Sequence, residues 1–152
     1  MNDELRALYQ EVIIDHGRHP RNFKKIEHPS CTQEGYNPLC GDRLMLYLKI
    51  DDNRIIDASF EGQGCAISMA ASSLMTEKIK NMSVTEAQQL FNAFQNLVTQ
   101  PAPSENIRES LGKLSVLGGV RDFPVRIKCA TLPWHALKAC LDNINTKVVS
   151  TE

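Results

Sequence analysis

The sequence predicts an α+β fold in which a small antiparallel sheet of about three strands packs against several α-helices. Between residues 44 and 60, Leu44, Leu46, Leu48 and Ile50 recur at every second residue, as do Ile56, Ala58 and Phe60, which is the period of strands with one buried face. Before and after this stretch the apolar residues recur at helical spacing. The length of 152 residues suits one domain, so we interpret 1-152 as a single domain.

An N-terminal helix is predicted from a stripe of apolar residues. The stripe consists of Leu5, Leu8, Tyr9, Val12 and Ile13. Gly17 and Pro20 are expected to end the helix, because both interrupt the helical pattern. The polar loop that follows should lead into a strand near residues 31–36.

A β-hairpin is predicted in the centre of the chain. One face of its first strand carries Leu44, Leu46, Leu48 and Ile50. Asp51-Asp52-Asn53 supplies turn residues. The second strand is expected to place Ile56, Ala58 and Phe60 on one face, and the two strands should pair antiparallel.

Helices are predicted after this hairpin. The apolar period becomes helical directly after Cys65, which should therefore lie at a helix N-terminus. Ser83-Val84-Thr85-Glu86 matches a capping box and should begin the next helix. Ser104 can cap a short helical piece that we expect to end at Leu117-Gly118-Gly119.

The last helix is predicted to begin near Pro133, because proline is tolerated in the first helical turn. The segment Phe123–Lys128 is expected to be extended, with Arg126 and Lys128 on one face, and to lead into Cys129 at the helix start. The apolar positions of this helix are Trp134, Leu137, Leu141 and Ile144. Residues 150–152 are predicted to be a tail.

The composition argues against two classes of partner. The net charge is −1 and the basic residues are scattered, so no basic patch indicates nucleic acid or an anionic membrane. No signal-peptide pattern and no apolar run of membrane-spanning length occur, so we expect a cytoplasmic protein. In that compartment five cysteines favour metal binding or sulfur chemistry over a disulfide framework.

Three cysteines lie in settings that favour a metal-bound or reactive thiolate. Cys40 and Asp42 belong to Asn37-Pro38-Leu39-Cys40-Gly41-Asp42, whose proline and glycine let both side chains turn toward one point. The N-terminus of a helix should stabilise the thiolate of Cys65, and the cationic segment before Cys129 should stabilise its thiolate. We predict that Cys40, Asp42, Cys65 and Cys129 form one metal site.

The ligand set suits more than one metal. Three thiolates and a carboxylate can bind Zn²⁺ tetrahedrally, whereas sulfur-rich ligation also suits iron or an iron–sulfur cluster. Cys40 is the candidate nucleophile, because its loop moves more easily than a helix. Cys31 and Cys140 are expected to be non-ligands, His16 to be solvated, and His135 to cap or pack.

Three motifs carry a resemblance to a known family. They are Asn37-Pro38-Leu39-Cys40-Gly41-Asp42, the segment from Phe60 to Ser68 around Cys65, and the segment from Pro124 to Leu132 around Cys129. Together they resemble the U-type proteins of iron–sulfur cluster biogenesis, IscU and SufU, which are similar to the N-terminal part of NifU. The resemblance spans nearly the whole chain and implies the same α+β fold.

The chain resembles the SufU branch more than the IscU branch. It has Lys128 where IscU scaffolds have histidine, lacks their Leu-Pro-Pro-Val-Lys motif, and has a longer segment between Cys65 and Cys129. The SufU resemblance implies zinc held by Cys40, Asp42, Cys65 and Cys129. It also implies sulfur transfer to Cys40 from a SufS-type, PLP-dependent cysteine desulfurase that displaces Cys40 from zinc on docking.

The resemblance leaves other roles open. Arg126 is the second candidate catalytic residue, because it could stabilise the freed ligands or the docked partner, although it could also be a solvated charge. Other Suf assembly proteins are candidate partners. The alternatives to sulfur transfer are a scaffold on which a [2Fe–2S] cluster is assembled and a purely structural zinc site.

Overall fold

The fold of the computed structural model is α+β, as predicted, and the structure describes residues 3–101, 103–142 and 148–150. The helices are α1 (Asp3–Arg18), α2 (Ala66–Ile79), α3 (Val84–Thr99), α4 (Glu105–Leu111) and α5 (Pro124–Leu141), with a 3₁₀ helix, Gly112–Asp122, before α5. The strands are β1 (Cys31–Asn37), β2 (Asp42–Asp51), β3 (Arg54–Gln63) and β4 (Val148–Ser150). The predictions for Ile144 and for residues 151–152 lie outside the described residues.

The sheet has the order β3-β2-β1-β4. Strands β1, β2 and β3 pair antiparallel through two consecutive hairpins, which confirms the predicted three-stranded core of the sheet. The sequence did not predict β4, which adds a short parallel strand to the free edge of β1. Ser150, which was expected to belong to a tail, is the last residue of this strand. Because the strands alternate in direction, the end of β1, the start of β2 and the end of β3 meet at one end of the sheet.

The predicted face of β3 is wrong at its first residues. The register between β2 and β3 shifts between Lys49 and Ile50, so that Ile50 faces Ile55. Ile55 is therefore buried, whereas Ile56 is 45% exposed. A β-bulge adds one residue to one strand and thereby reverses the faces before and after it. Ala58 and Phe60, beyond the bulge, are buried as expected.

Helices pack on the apolar face of the sheet and close one hydrophobic core. Ser83 caps α3 with the predicted reciprocal bonds between its side chain and Glu86. The apolar stripe of α3 is buried, and Phe94 meets Trp134 of α5 edge to face with ring centroids 4.7 Å apart. Among the described residues, no helix has the length and apolar character needed to cross a membrane.

Two predicted helix boundaries are wrong. The short helix α4 ends at Leu111, because Gly112 adopts a positive φ of 57°, and the 3₁₀ helix then continues through the expected stop at Gly118. Helix α5 begins at Pro124, not at Pro133, which lies inside the helix. Pro124 in the first turn satisfies the same proline rule that was applied to Pro133.

Two expectations about side chains outside the site are also corrected. Cys31 of β1 and Cys140 of α5 form a disulfide. The sequence had favoured metal binding or sulfur chemistry over disulfides, and this expectation is wrong for these two cysteines. His16 is buried and not solvated, and its Nδ1 lies 2.7 Å from Ser73 Oγ. Burial lowers the pKa of His16 below its usual value, with the charge of Arg21 acting in the same direction.

Candidate metal centre

The candidate ligands lie at the end of the sheet where β1, β2 and β3 meet two helices. Cys40 lies in the turn between β1 and β2, and Asp42 is the first residue of β2. Cys65 is the N-cap residue of α2, as predicted, and Cys129 lies in the second turn of α5. Residues far apart in the sequence therefore meet only because the sheet and both helices pack together.

The Cys40 turn is short and open to solvent. It joins β1 to β2, and Gly41 adopts a positive φ of 71°, which glycine accepts at no steric cost. Leu39 is 58% exposed and Cys40 is half-buried. The turn therefore presents a thiol at the surface on a backbone that no regular helix or sheet pairing restrains.

Asp42 connects the sheet to the start of α2. Its carboxylate is buried, and its Oδ1 accepts a hydrogen bond of 2.8 Å from the backbone N–H of Cys65. Its Oδ2 lies 4.0 Å from Cys65 Sγ. One oxygen thus fixes the side chain against the helix, and the other faces the thiols.

Gly64 leaves the space that this connection needs. A Cβ added to Gly64 would lie 2.6 Å from Asp42 Oδ1 and 2.4 Å from Ser68 Oγ. Real Cβ atoms do not approach other heavy atoms so closely, so any side chain at residue 64 would displace a neighbour. The glycine before Cys65 therefore admits the carboxylate to the helix N-terminus.

Cys129 is the most deeply buried sulfur of the site. It is fully buried, and its Sγ lies 3.2 Å from Cys40 Sγ. Burial raises the pKa of its thiol well above the usual value, and Cys40 and Asp42 act in the same direction. The expectation that Cys129 lies at a helix N-terminus that favours its thiolate is wrong, because α5 begins five residues earlier.

Arg126 is one helical turn before Cys129 and lies on the same face of α5. A hydrogen bond to Cys129 raises the pKa of the guanidinium, and the neighbouring cysteines act in the same direction. Lys128 does not share this face, because two residues correspond to about 200° of rotation on a helix. The predicted alternation of Arg126 and Lys128 on an extended segment is therefore wrong, and the structure brings Arg126 alone toward the thiols.

Asn37 belongs to the site, and sequence reasoning assigned it no role. Its Nδ2 donates to Asp42 Oδ2 at 3.2 Å and to Cys129 Sγ at 3.5 Å. The side chain is fully buried. The signal in the sequence was its place directly before Pro38 in the segment that carries Cys40, but only the tertiary structure shows what the amide contacts.

The donor atoms fit a divalent metal ion. One ligand atom each of Cys40, Asp42 and Cys129 lies within 4.8 Å of the other two. Ligands on a tetrahedral zinc ion with Zn–S bonds of ~2.3 Å are about 3.8 Å apart, so only small movements separate this cluster from a metal site. A bound cation would also offset the raised pKa of Cys129, because a coordinated thiol is deprotonated.

Cys65 completes the predicted ligand set less directly than the other three residues. It lies near Asp42 and its charge acts on Cys129, but it is not in the tight three-residue cluster. His135 packs elsewhere, edge-on against Phe91 with ring centroids 5.7 Å apart. The described site therefore consists of three thiols, one carboxylate, one amide and one guanidinium.

Comparison with known proteins shows the family to which the chain belongs. Residues 8–130 match the NifU-like N terminal domain family. The chain belongs to this family. Among its NifU-like relatives is a zinc-dependent sulfurtransferase SufU of Bacillus subtilis (strain 168), which is 42% identical over 137 residues covering 90% of this chain and 91% of the relative.

Other relatives carry a different functional name. The iron-sulfur cluster assembly scaffold protein IscU of Streptococcus pyogenes serotype M1 is 39% identical, over 91% of this chain and 85% of the relative. A crystal structure from Fervidobacterium islandicum AW-1, described as a candidate scaffold protein for the SUF system, has a TM-score of 0.81 and 34% identity. That match covers 90% of this chain and 98% of the other. The family and its fold are thus shown.

Proposed function

We propose that this NifU-like protein is a zinc-dependent sulfurtransferase in iron–sulfur cluster assembly, which accepts persulfide sulfur on Cys40 from a PLP-dependent cysteine desulfurase of the SufS type. The observation that carries the proposal is the position of Cys40. It lies on a solvent-open turn, with Cys129 Sγ 3.2 Å away. A thiol on an open turn, beside ligands that belong to a strand and a helix, suits transfer from another protein.

The residues that would hold zinc are Cys40, Asp42, Cys65 and Cys129. When bound, zinc would supply positive charge that keeps the thiols deprotonated in a buried, sulfur-rich setting. Asp42 and Cys129 are buried and belong to a strand and a helix, so they suit permanent ligation. Cys40 is the ligand that can leave with the least disturbance of the fold.

The transfer step balances as a thiol–persulfide exchange. The Cys40 thiolate attacks the terminal sulfur of the desulfurase persulfide, a new S–S bond forms on Cys40, and the persulfide S–S bond breaks. The electron pair leaves on the desulfurase cysteine as a thiolate. The guanidinium of Arg126, which already interacts with Cys129, is placed to offset the negative charge of sulfurs near it.

Exposed apolar side chains near the site support a protein partner. Leu39 precedes Cys40 and is 58% exposed, and Phe123 and Val125 precede Arg126 and are 61% and 48% exposed. Phe123 and Arg126 also line an apolar cavity of ≈ 300 Å³. Apolar groups beside a reactive thiol suit a docking surface that shields the exchanging sulfurs from water.

The proposal is tested by L-cysteine turnover by the cognate desulfurase. The zinc-loaded protein should stimulate turnover, and mass spectrometry should find one added sulfur atom on the Cys40 peptide. Cys40→Ala should abolish both effects. The double variant Cys31→Ser/Cys140→Ser removes only the two sulfurs outside the site and should retain both. Full stimulation by Cys40→Ala would overturn the assignment of Cys40.

The scaffold function is the second candidate, because several relatives are named as cluster assembly scaffolds and three thiols converge here. It predicts that anaerobic reconstitution with iron and sulfide yields a stoichiometric [2Fe–2S] protein that passes its cluster to an apo-acceptor. A structural zinc site predicts instead that Cys40→Ala unfolds the protein. The sulfurtransferase should remain folded in that variant, as circular dichroism can show.

A further inference from the structure

We propose that Asn37 is a positioning residue of the metal centre, whose amide fixes two ligands while its carbonyl oxygen holds the turn that carries a third. The inference rests on the proposed function only in taking Asp42 and Cys129 as ligands. It adds a residue that touches neither the metal nor the transferred sulfur. Its role is to hold the side chains of the ligands in the orientation that metal binding requires.

The place of Asn37 in the fold gives its side chain little freedom. It is the last residue of β1, and its Cα pairs with that of Asp42 across the hairpin. It is fully buried. A buried amide without hydrogen bonds would destabilise the folded protein, so each hydrogen-bond partner of Asn37 matters.

Both polar atoms of the Asn37 amide form hydrogen bonds: the nitrogen donates to two acceptors, and the oxygen accepts from a backbone N–H. Nδ2 donates one hydrogen bond to Asp42 Oδ2 at 3.2 Å and a second to Cys129 Sγ at 3.5 Å. Oδ1 accepts a hydrogen bond of 3.2 Å from the backbone N–H of Leu39, the residue before Cys40. One side chain thus reaches β2, α5 and the Cys40 turn.

This pattern matches what anionic ligands need from their surroundings. A ligand oxygen or sulfur that is held by a donor keeps one orientation, and such supporting contacts preserve metal affinity. An Asn side chain supplies two donors and one acceptor, which is the set required here. An aspartate of the same shape would oppose Asp42 with a second negative charge and would donate nothing.

The contacts of Asn37 differ between Cys40, the proposed leaving ligand, and the two buried ligands. The Asn37 amide forms hydrogen bonds with the side chains of Asp42 and Cys129. It forms none with Cys40 itself and contacts that turn only at the backbone N–H of Leu39. Loss of Asn37 should therefore disorder the anchored ligands more than the exposed turn. The expected consequence is a weaker metal site in a folded protein.

The test uses Asn37→Ala and Asn37→Ser in the full chain. A serine hydroxyl can still accept from the backbone N–H two residues later, but it is too short to reach Cys129. Both variants should lower zinc affinity, measured by competition with a chromophoric chelator, by roughly ten- to hundredfold. The thiolate-to-cobalt charge-transfer absorption of the Co²⁺-loaded protein should weaken or shift in both.

Asn22→Ala is the matched control. The amide of Asn22 donates to Thr76 Oγ1 and its carbonyl accepts from Lys80, outside the site. This variant should lower the unfolding temperature and leave zinc affinity and the cobalt spectrum unchanged.

Three results would overturn the inference. The first is wild-type zinc affinity in Asn37→Ala, and the second is full rescue by Asn37→Ser, which would reduce Asn37 to a turn residue. Absence of zinc binding by the wild-type protein would instead refute the proposed function, so the two failures are distinguishable. The third overturning result is a loss of zinc affinity in Asn37→Ala that only matches the fraction of the variant that is unfolded.

Discussion

Replacement of Gly64 by alanine should weaken the metal site, because the new methyl group would clash with Asp42 and with Ser68. The new methyl group would lie 2.6 Å from Asp42 Oδ1 and 2.4 Å from Ser68 Oγ. The Ser68 side chain can rotate away from the new methyl group, but it then loses its hydrogen bond to the Cys65 carbonyl. Asp42 cannot yield so easily, because its Oδ1 accepts the Cys65 N–H at 2.8 Å.

The magnitude follows from that lost hydrogen bond. A hydrogen bond to a charged group contributes about 1.5–3 kcal/mol, so the free energy of unfolding of the metal-free protein should fall by that amount. Because Asp42 is a candidate ligand, its displacement should also lower zinc affinity by roughly ten- to hundredfold. Gly64 shows no positive φ, so backbone strain adds nothing to this expectation.

Urea unfolding and chelator competition measure the two effects. Gly119→Ala is the matched control, because a Cβ there meets nothing within 4 Å. It should be neutral or gain about 0.4–1 kcal/mol from the stiffer unfolded chain. The double variant Gly64→Ala/Ser68→Ala removes the Ser68 contact and should bind zinc as weakly as Gly64→Ala. Wild-type affinity in Gly64→Ala, or full recovery in the double variant, would refute the reasoning.

Two further predictions concern stability. Burial, and secondarily the charge of Lys138, lowers the pKa of His135 in the folded state. The unfolded chain therefore binds the proton more readily, and the free energy of unfolding should fall as the pH drops below about 6.5. His135→Phe should flatten that dependence in urea titrations, and an unchanged slope would contradict it. Reduction of Cys31–Cys140, which are 109 residues apart, should cost about 2–4 kcal/mol. Cys31→Ser/Cys140→Ser should be insensitive to reductant, and an equal response of this variant and the wild type would refute the assignment.

Local rules predicted much of the fold because their causes lie within a few residues. The Ser83 capping box needs only Ser83 and Glu86, and both predicted bonds occur. The alternation of β2 and the change to helical period after Cys65 likewise depend on neighbours in the chain. These elements formed where the sequence placed them.

Predictions failed where a distant contact changed the outcome. The bulge opposite Lys49 buries Ile55 instead of Ile56, and its position depends on how β2 and β3 align. The start of α5 is an exception with a local cause, because the proline rule allows Pro124 and Pro133 equally. The disulfide between Cys31 and Cys140 required β1 to pack against α5.

The sequence by itself determined which groups are available for the site and their local settings. It placed Cys40 on a turn and Cys65 at the start of a helix, because glycine, proline and helix period act over short distances. Only the tertiary structure decided that Cys129 is buried 3.2 Å from Cys40 and that Asn37 bonds two candidate ligands. The physical reason is that burial and convergence arise when strands and helices exclude water together, and no spacing along the chain encodes that arrangement alone.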